Sequence, residues 1–345
     1  MIKKIFLDIY HWLRHGQNVR FSVQLGFLLL ILWIGYEFYG FVEYHLSGGQ
    51  TARFERPPGV EGFLPIGALV SLKYWILSGE FSMIHPSALV LFLIFVFTAV
   101  FLKKGFCSWI CPVGFISEML WNFGQKIFGR TFALPKWLDY PLRSLKYLIL
   151  IFFANAILLG MNEFALKMFI ESPYNKLADV KMLLFFANIS EFAMWSILIL
   201  VVLSVVVKNF WCRYLCPYGA LLGFLSMFSP VKVTRDEETC IDCKKCTKVC
   251  PSLIQVHKAN RVYSDECMAC GECITACPVD EALQFKITKK SKPIPVWVYG
   301  VIIVGVFMLG TGAAMLSGHW KNKISEAEYR VRIQNINSPE YNHAQ

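Results

Sequence analysis

Five long apolar blocks determine what this chain can fold into. They cover residues 21–41, 86–102, 145–161, 192–207 and 296–316. A helix needs about 17–25 mostly apolar residues to cross a bilayer, so the second and fourth blocks are at the short end of the range. Only 17% of the residues are charged, against about 25% in soluble domains. The blocks predict an all-α membrane bundle of about five transmembrane helices and argue against a soluble, disordered or nucleic-acid-binding protein.

The basic residues indicate how these helices are oriented. With a cytoplasmic N-terminus, the inside segments carry 23 of the 34 Lys and Arg residues and the outside segments carry 10. Positive charge concentrates on the cytoplasmic side of membrane proteins. We therefore expect a multi-pass protein of the bacterial inner membrane with a cytoplasmic N-terminus and a periplasmic C-terminus. The basic residues before the first block are Lys3, Lys4, Arg14 and Arg20. That block is too long for a signal peptide and is interpreted as an uncleaved anchor.

Two cysteine runs carry the most specific chemistry of the sequence. Residues 240–251 read CIDCKKCTKVCP, and residues 267–278 read CMACGECITACP. Both have the spacing C-x2-C-x2-C-x3-C-P of bacterial two-cluster ferredoxins, in which the fourth Cys of each run binds the other cluster. The expected ligands are Cys240, Cys243, Cys246 and Cys277 for cluster one, and Cys267, Cys270, Cys273 and Cys250 for cluster two. Zinc is the weaker alternative, because zinc sites usually use two separated Cys pairs.

These features predict three regions. Residues 1–230 form a membrane domain with four transmembrane helices. Residues 231–292 form a small cytoplasmic α+β ferredoxin domain with two [4Fe–4S] clusters, inserted into the bundle. Residues 293–345 form a fifth transmembrane helix and a short periplasmic tail. Cluster assembly in such a domain requires a reducing compartment, which agrees with a cytoplasmic location.

Two further cysteine pairs lie at the cytoplasmic ends of predicted spans. Residues 103–116 read KKGFCSWICPVGFI and residues 208–221 read KNFWCRYLCPYGAL, which is a weak internal repeat with the pattern C-x3-C-P-x-Gly. The spacing predicts that each pair lies on one helix face. Because Pro suits the first position of a helix, the second Cys of each pair is expected at a helix N-terminus, where the dipole favours a thiolate. The four residues are Cys107, Cys111, Cys212 and Cys216.

The four thiols of these pairs have three alternative roles. They could hold a further metal ion or cluster, they could act as a dithiol redox relay, or they could pack as small apolar residues. Soft thiolates select iron–sulfur clusters, copper(I) or zinc.

The motifs resemble those of the membrane polyferredoxins typified by NapH, NosR and CcoG (also called FixG). The resemblance covers roughly residues 20–290 and includes the C-x3-C-P pairs, the ferredoxin runs and the segment RPPGVEGFLPIGAL at 56–69 before His-Pro at 85–86. It implies a membrane electron-transfer protein: the NapH type is regarded as a quinol dehydrogenase, the NosR type supports nitrous oxide reduction, and the CcoG type is linked to copper handling. A fifth span after the ferredoxin runs departs from the NapH type.

A candidate quinol site lies in the outer segment 42–85. Its apolar stretch 64–77 has the length of an interfacial or re-entrant helix rather than of a span. Oxidation of a quinol requires an apolar slot and a base that accepts a proton. The candidates for that base are Glu37, Glu61 and His85, because ionisable groups at membrane depth are usually functional. The alternative is an interfacial loop with solvated charges.

Three functions compete for this sequence. The first is an electron-transfer subunit that oxidises menaquinol or ubiquinol and reduces a redox partner in the membrane or periplasm. The second is a copper-handling or thiol-redox protein of the CcoG type that supports metalloenzyme assembly. The third is an assembly anchor with structural clusters. The outer segment favours the first function, and no His-rich or Met-rich outer motif favours copper transport.

The orientation can be tested with reporter fusions. A reporter fused after Ser291 should lie in the cytoplasm, and one fused after Gly318 should lie in the periplasm, because the Lys and Arg bias places residues 296–316 across the membrane. The activities of phosphatase and fluorescent-protein fusions measure the side. Two reporters on the same side would show that this block does not span.

Overall fold

The computed structural model describes residues 16–129 and 132–341. Within them, fifteen α-helices and two short strands alternate with turns, with three short 3-10 helices (Pro58–Phe63, Val256–Lys258 and Pro339–Tyr341) and one π-helical segment (Trp211–Leu215). The helices of the first half are α1 (Gly16–Leu46), α2 (Pro65–Ser78), α3 (Pro86–Leu102), α4 (Gly105–Trp109), α5 (Pro112–Phe128), α6 (Lys136–Leu158), α7 (Glu163–Glu171) and α8 (Pro173–Lys176). The remaining elements are α9 (Ala178–Ala187), α10 (Glu191–Val206), α11 (Pro217–Ser226), β1 (Lys232–Arg235), α12 (Lys245–Val249), α13 (Glu272–Thr275), β2 (Leu283–Lys286), α14 (Val296–Leu316) and α15 (Glu326–Gln334).

Local sequence signals determine where several of these helices begin and end. Pro86, Pro112 and Pro217 each occupy the first helical position, where the missing N–H costs nothing. Helix α5 ends at Gly129, whose positive φ of 65° suits glycine. Helix α3 ends where Lys103 adopts a φ of 61°, which turns the chain into the cysteine-bearing segment that follows.

The structure confirms a mostly helical membrane protein. Among the described residues, α1, α6 and α14 are long and apolar enough to cross a bilayer, and α9 with α10 would form a fourth span that bends by 82°. Helix α3 is apolar but has only 17 residues. Three of the five predicted blocks, 21–41, 86–102 and 296–316, lie within helices, and blocks 145–161 and 192–207 extend beyond the ends of α6 and α10. The count of five spans remains a prediction. The basic residues Lys3, Lys4 and Arg14 lie outside the described residues.

The described chain divides into two compact units. Unit one contains residues 16–28, 95–150 and 197–307, and unit two contains residues 29–94, 151–196 and 308–341. Helices α1, α6 and α14 therefore contribute one part to each unit. The three predicted regions, 1–230, 231–292 and 293–345, follow the chain rather than these units, and they remain predictions.

Unit one contains both ferredoxin runs. Strands β1 and β2 pair antiparallel, with Lys232 opposite Lys286. In the sequence, β1 precedes the two runs and β2 follows them. The short helices α12 and α13 each follow the second Cys of a run. A sheet of two strands and two single-turn helices is consistent with a small α+β fold, but an α+β domain that stands alone remains a prediction.

Buried ion pairs hold the ferredoxin runs in place within unit one. Lys146 of α6 donates to Glu266 at 2.6 Å, and the Lys146 side chain is fully buried. Arg20 of α1 forms ion pairs of 2.6 Å with both Glu118 and Glu272. The pairs with Glu266 and Glu272 join helices of the bundle to the second cysteine run, and the pair with Glu118 joins α1 to α5.

Unit two has two apolar cores. In one, α2 packs against α7 through Val70, Tyr74, Leu166 and Ile170. In the other core, α1 and α9 pack with the tail that follows α14. The buried residues of this core are Phe38, Phe41, Val42, Val60, Leu177, Val180, Tyr329, Ile333, Ile336 and Tyr341. The tail is therefore a folded part of unit two rather than a free extension.

Candidate functional site

The cysteines of the two ferredoxin runs line two separate cavities. The two cavities are similar in size. The cluster-one cavity is lined by Cys240, Cys243, Cys246 and Cys277. The cluster-two cavity is lined by Cys250, Cys267, Cys270 and Cys273. The structure thus brings together the two crossed sets of four residues that the spacing predicts, although their role as ligands remains a prediction.

The backbone around both cavities has the same unusual conformation. In the first run Asp242 and Lys244 have positive φ values of 49° and 60°, and in the second run the equivalent Ala269 and Gly271 have values of 51° and 76°. Left-handed residues within such loops point backbone N–H groups into a concave surface that suits an anionic group. At the cluster-two cavity, the N–H of Ile254 also lies 3.5 Å from Cys250 Sγ.

The donors and the cavities fit a [4Fe–4S] cluster. Each cavity has four thiols, inward N–H groups and an apolar lining that includes Val256 and Val262 at cluster two and Ile241 and Leu283 at cluster one. All twelve cysteines are free thiols. No group of three or more His, Cys, Asp or Glu side chains in the described ranges is arranged to hold a single metal ion.

The two cavities differ in exposure. Cys250, Cys270 and Cys273 at the cluster-two cavity are buried, with 7–8% of their surface exposed. At the cluster-one cavity Cys243 is exposed, and the neighbouring Ile241 is 65% exposed. Solvent therefore reaches the rim of the cluster-one cavity more easily.

The C-x3-C-P pairs bring their four cysteines together in unit one. Each of the four thiols is in electrostatic contact with the other three. The side chain of Lys104, which is only 3% exposed, is a cationic neighbour of Cys107, Cys212 and Cys216. We call these four cysteines the four-cysteine site.

Cys111 and Cys216 occupy the predicted positions at helix N-termini. Cys111 is the N-cap of α5 and Cys216 is the N-cap of α11, where its sulfur accepts a hydrogen bond of 3.2 Å from the N–H of Gly219. The prediction that each pair lies on one helix face is wrong, because each helix breaks before the Pro. Cys111 has an extended ψ of 119° and Cys216 a ψ of 104°, as expected for residues before Pro.

Burial acts against the thiolate that the helix end was predicted to favour at Cys111. Burial raises the pKa of Cys111 to about 11, and it raises the pKa of Cys107 to about 12 although Lys104 acts in the opposite direction. Desolvation disfavours the charged form more strongly than the helix end favours it. A metal or cluster would therefore displace protons from these thiols on binding.

Glu61 and His85 belong to one buried polar network in unit two. Arg56 donates to Glu61 at 2.8 Å and to Asp179 at 2.6 Å, and both carboxylates are fully buried. His85 Nε2 lies 2.6 Å from the carbonyl of Asn175, and its Nδ1 lies 3.4 Å from Glu61 Oε1. The two carboxylates are thus balanced by one guanidinium and, when His85 is protonated, by one imidazolium.

This network limits what Glu61 can do. Burial alone would raise the pKa of Glu61, but the charge of Arg56, the nearby ring of His85 and a hydrogen bond from Ser87 lower it to about 2. Burial would lower the pKa of His85, but Glu61 raises it above its ordinary value. An ionised carboxylate whose oxygens already accept from Arg56, Ser87 and the N–H of Ala88 is a weak proton acceptor. These contacts therefore favour a positioning role for Glu61 and His85 over a role as proton acceptors.

Glu37 and His45 lie apart from that network on α1. Glu37 forms no hydrogen bond or ion pair with the part of the chain that the structure describes. His45 is 1% exposed, and neither of its ring nitrogens has a partner within residues 16–129 and 132–341. Its ring packs edge-on against Phe41 and Tyr44, with centroids 4.7 and 5.3 Å apart.

His45 is not among the quinol-site residues predicted from the sequence, which are Glu37, Glu61 and His85. A buried polar group without a partner costs about 1–3 kcal/mol, so its presence calls for an explanation such as a bound molecule. The sequence signal that could have found it is a His in the last turn of an apolar span.

Comparisons with known proteins agree with this arrangement. The family described as "4Fe-4S binding domain" matches residues 84–131 and 190–235, which contain the two C-x3-C-P pairs. The family described as "4Fe-4S dicluster domain" matches residues 232–278. No solved structure matches the chain.

Three relatives span different shares of the chain. The electron transport protein YccM of Escherichia coli is 40% identical over 325 residues, which cover 93% of this chain and 91% of YccM. The ferredoxin-type protein NapH of Escherichia coli is 28% identical over 52% of this chain and 60% of its own length. The regulatory protein NosR of Pseudomonas aeruginosa is 28% identical over 53% of this chain and 26% of its own length.

The fold and the cysteine sites define a membrane-bound electron transport protein with 4Fe–4S clusters. The chain belongs to the membrane polyferredoxin family, as the resemblance of its motifs predicts.

The glycine of the C-x3-C-P-x-Gly pattern can be tested in both repeats. A Cβ at Gly114 would lie 2.2 Å from the carbonyl oxygen of Cys107, whereas a Cβ at Gly219 would lie 3.5 Å from the carbonyl oxygen of Cys212. Gly114→Ala should therefore destabilise the protein by about 1–3 kcal/mol, which is typical of overpacking. Gly219→Ala is the matched control and should leave stability unchanged or slightly raised. Thermal unfolding in detergent measures both, and equal melting temperatures would contradict the close approach at Gly114.

Proposed function

We propose that the protein is a subunit of the quinol dehydrogenase type, an oxidoreductase that oxidises menaquinol or ubiquinol and passes the electrons to a redox partner protein. The partner is a membrane or periplasmic protein. The proposal includes the predicted orientation, with the N-terminus and the ferredoxin region in the cytoplasm, the C-terminus in the periplasm, and the apolar helices embedded in lipid.

The observation that carries this proposal is the grouping of the twelve cysteines into three sets of four within unit one. Two sets line the cavities that fit [4Fe–4S] clusters, with Cys240, Cys243, Cys246 and Cys277 as ligands of cluster one and Cys267, Cys270, Cys273 and Cys250 as ligands of cluster two. When bound, such a cluster accepts and releases one electron at a time. Four thiols are also the donor set that a third redox site needs.

The four-cysteine site is the proposed third redox or metal site. Its residues are Cys107, Cys111, Cys212 and Cys216. The matches of the 4Fe–4S binding family to both C-x3-C-P segments support an iron–sulfur cofactor there over a mononuclear copper or zinc ion. The buried cation Lys104 supports it further, since a thiolate-bound site carries negative charge.

The quinol end of the proposal rests on unit two. Oxidation of a quinol releases two electrons and two protons, so a base must lie beside the hydroxyl groups of the quinol. Glu37 and His45 are the proposed acceptors: both ring nitrogens of His45 are buried without a partner in the described ranges, and Glu37 lies two turns before it on α1. The buried contacts of Arg56, Glu61 and His85 support a structural role for these three residues. They would hold the loops around Glu37 and His45 in place.

The decisive experiment is reduction of the clusters by a quinol. Anaerobically purified protein in detergent is mixed with a short-chain menaquinol or ubiquinol, and cluster reduction is followed by electron paramagnetic resonance (EPR). Cysteine variants should then separate the sites. The double variant Cys107→Ser/Cys212→Ser should slow quinol-driven reduction by more than about tenfold, equivalent to about 1.4 kcal/mol in the barrier, while both ferredoxin clusters remain assembled and reducible by dithionite.

Two outcomes would contradict the proposal. Wild-type clusters that dithionite reduces and quinol does not would exclude quinol oxidation and favour the copper-handling alternative. Unchanged quinol-driven reduction in the double variant would show that the four-cysteine site is not on the electron path.

A further inference from the structure

The first C-x3-C-P segment contacts the loop between two cysteines of the cluster-two cavity. Ser108 donates a hydrogen bond of 2.5 Å to the carbonyl of Met268, and Trp109 Nε1 donates one of 3.2 Å to the carbonyl of Ala269. Met268 and Ala269 are the two residues between Cys267 and Cys270. Trp109 is fully buried, so its N–H has no competing water.

The second C-x3-C-P segment contacts the same cavity from another side. Arg213, which follows Cys212, donates a hydrogen bond of 2.7 Å to the carbonyl of Ser252, two residues after Cys250. Asp139 holds the Arg213 guanidinium through two hydrogen bonds of 3.0 and 3.1 Å. Both halves of the internal repeat therefore bond to loops that carry cysteines of the cluster-two cavity.

The cluster-one cavity has no such contacts. Ser108, Trp109 and Arg213 form no hydrogen bond or ion pair with the described loops at 240–246 and 277–283. The polar partners of this cavity come from its own neighbourhood: Arg235 lies 3.5 Å from Cys240 Sγ, and Thr247 bonds to His257. Its rim, including Cys243 and Ile241, is exposed.

We propose that the two ferredoxin clusters have fixed and different roles. Cluster two would exchange electrons with the four-cysteine site, to which the contacts of Ser108, Trp109 and Arg213 join it. Cluster one would exchange electrons with a membrane partner protein that docks at its exposed rim from the cytoplasmic side. One electron leaves cluster two as cluster one gains it, and the next electron arrives from the four-cysteine site. The order of the sites rests on the proposed function, in which electrons enter from a quinol. Ser108, Trp109 and Arg213 are positioning residues.

Matched tryptophan variants test the first part. Trp109→Phe removes the hydrogen bond to Ala269 but keeps an aromatic ring. Trp75→Phe is the control, because Trp75 lies in unit two and its indole N–H forms no hydrogen bond with the described residues. Potentiometric EPR titration with dithionite and mediators measures the midpoint potential of each cluster. The signals are assigned beforehand with Cys267→Ser and Cys246→Ser.

Trp109→Phe should lower the midpoint potential of cluster two, because a donor that stabilises added negative charge near it is lost. Its reduction equilibrium should change by about fivefold, as expected for one hydrogen bond. The potential of cluster one should not change, and Trp75→Phe should change the potential of neither cluster. Two results in Trp109→Phe would overturn the proposal: equal shifts in the midpoint potentials of the two clusters, or no shift in the midpoint potential of cluster two.

A second measurement tests the exposed exit without any substitution. Dysprosium–EDTA, a water-soluble paramagnetic complex, should enhance the spin relaxation of cluster one more strongly than that of cluster two. Equal enhancement would overturn the assignment of cluster one to the exit. Neither measurement uses quinol, so a failure of quinol oxidation leaves both results interpretable.

Discussion

The ion pair between Lys146 and Glu266 joins a transmembrane helix to the ferredoxin runs. The ammonium of Lys146 is fully buried in α6 and lies 2.6 Å from the carboxylate that immediately precedes Cys267. Loss of one partner of a buried ion pair typically costs about 3–5 kcal/mol, because the remaining charge has no water. Helix α6 and the second cysteine run therefore have to be in place together, and this sets the position of the cluster-two cavity within unit one.

The same constraint explains why the cysteine sites suit electron transfer. Rapid transfer requires redox sites that are close together and held rigidly. Buried contacts of Ser108, Trp109 and Arg213 hold the backbone of the cluster-two cavity beside the four-cysteine site. An exposed rim at the cluster-one cavity leaves access for a partner. Under the proposed function, the difference in burial between the two cavities would give a single chain both a relay shielded from water and a surface for a partner.

Local signals in the sequence were sufficient to locate the long apolar helices and the two cysteine runs. The predicted bounds 86–102 and 296–316 match α3 and α14, because proline and apolar runs act over neighbouring residues. The partners of buried charges could not be predicted in this way. Arg56 and Asp179 are 123 residues apart, and Lys146 and Glu266 are 120 apart. Spacing carries no information about such pairs, so the network around Glu61 and its low pKa were missed.

The crossed assignment of cysteines is the central claim, and paired Cys→Ser variants with EPR test it most directly. Cys250 lies in the first run, but Cys250→Ser should alter the g values of the same cluster as Cys273→Ser in the second run. Cys277→Ser should alter the g values of the other cluster, as Cys246→Ser does. Serine is a weaker ligand for iron than a thiolate, so the affected signal should change while its neighbour does not. If Cys250→Ser instead altered the signal that Cys246→Ser alters, each run would hold its own cluster, and the account of two crossed sites would be contradicted.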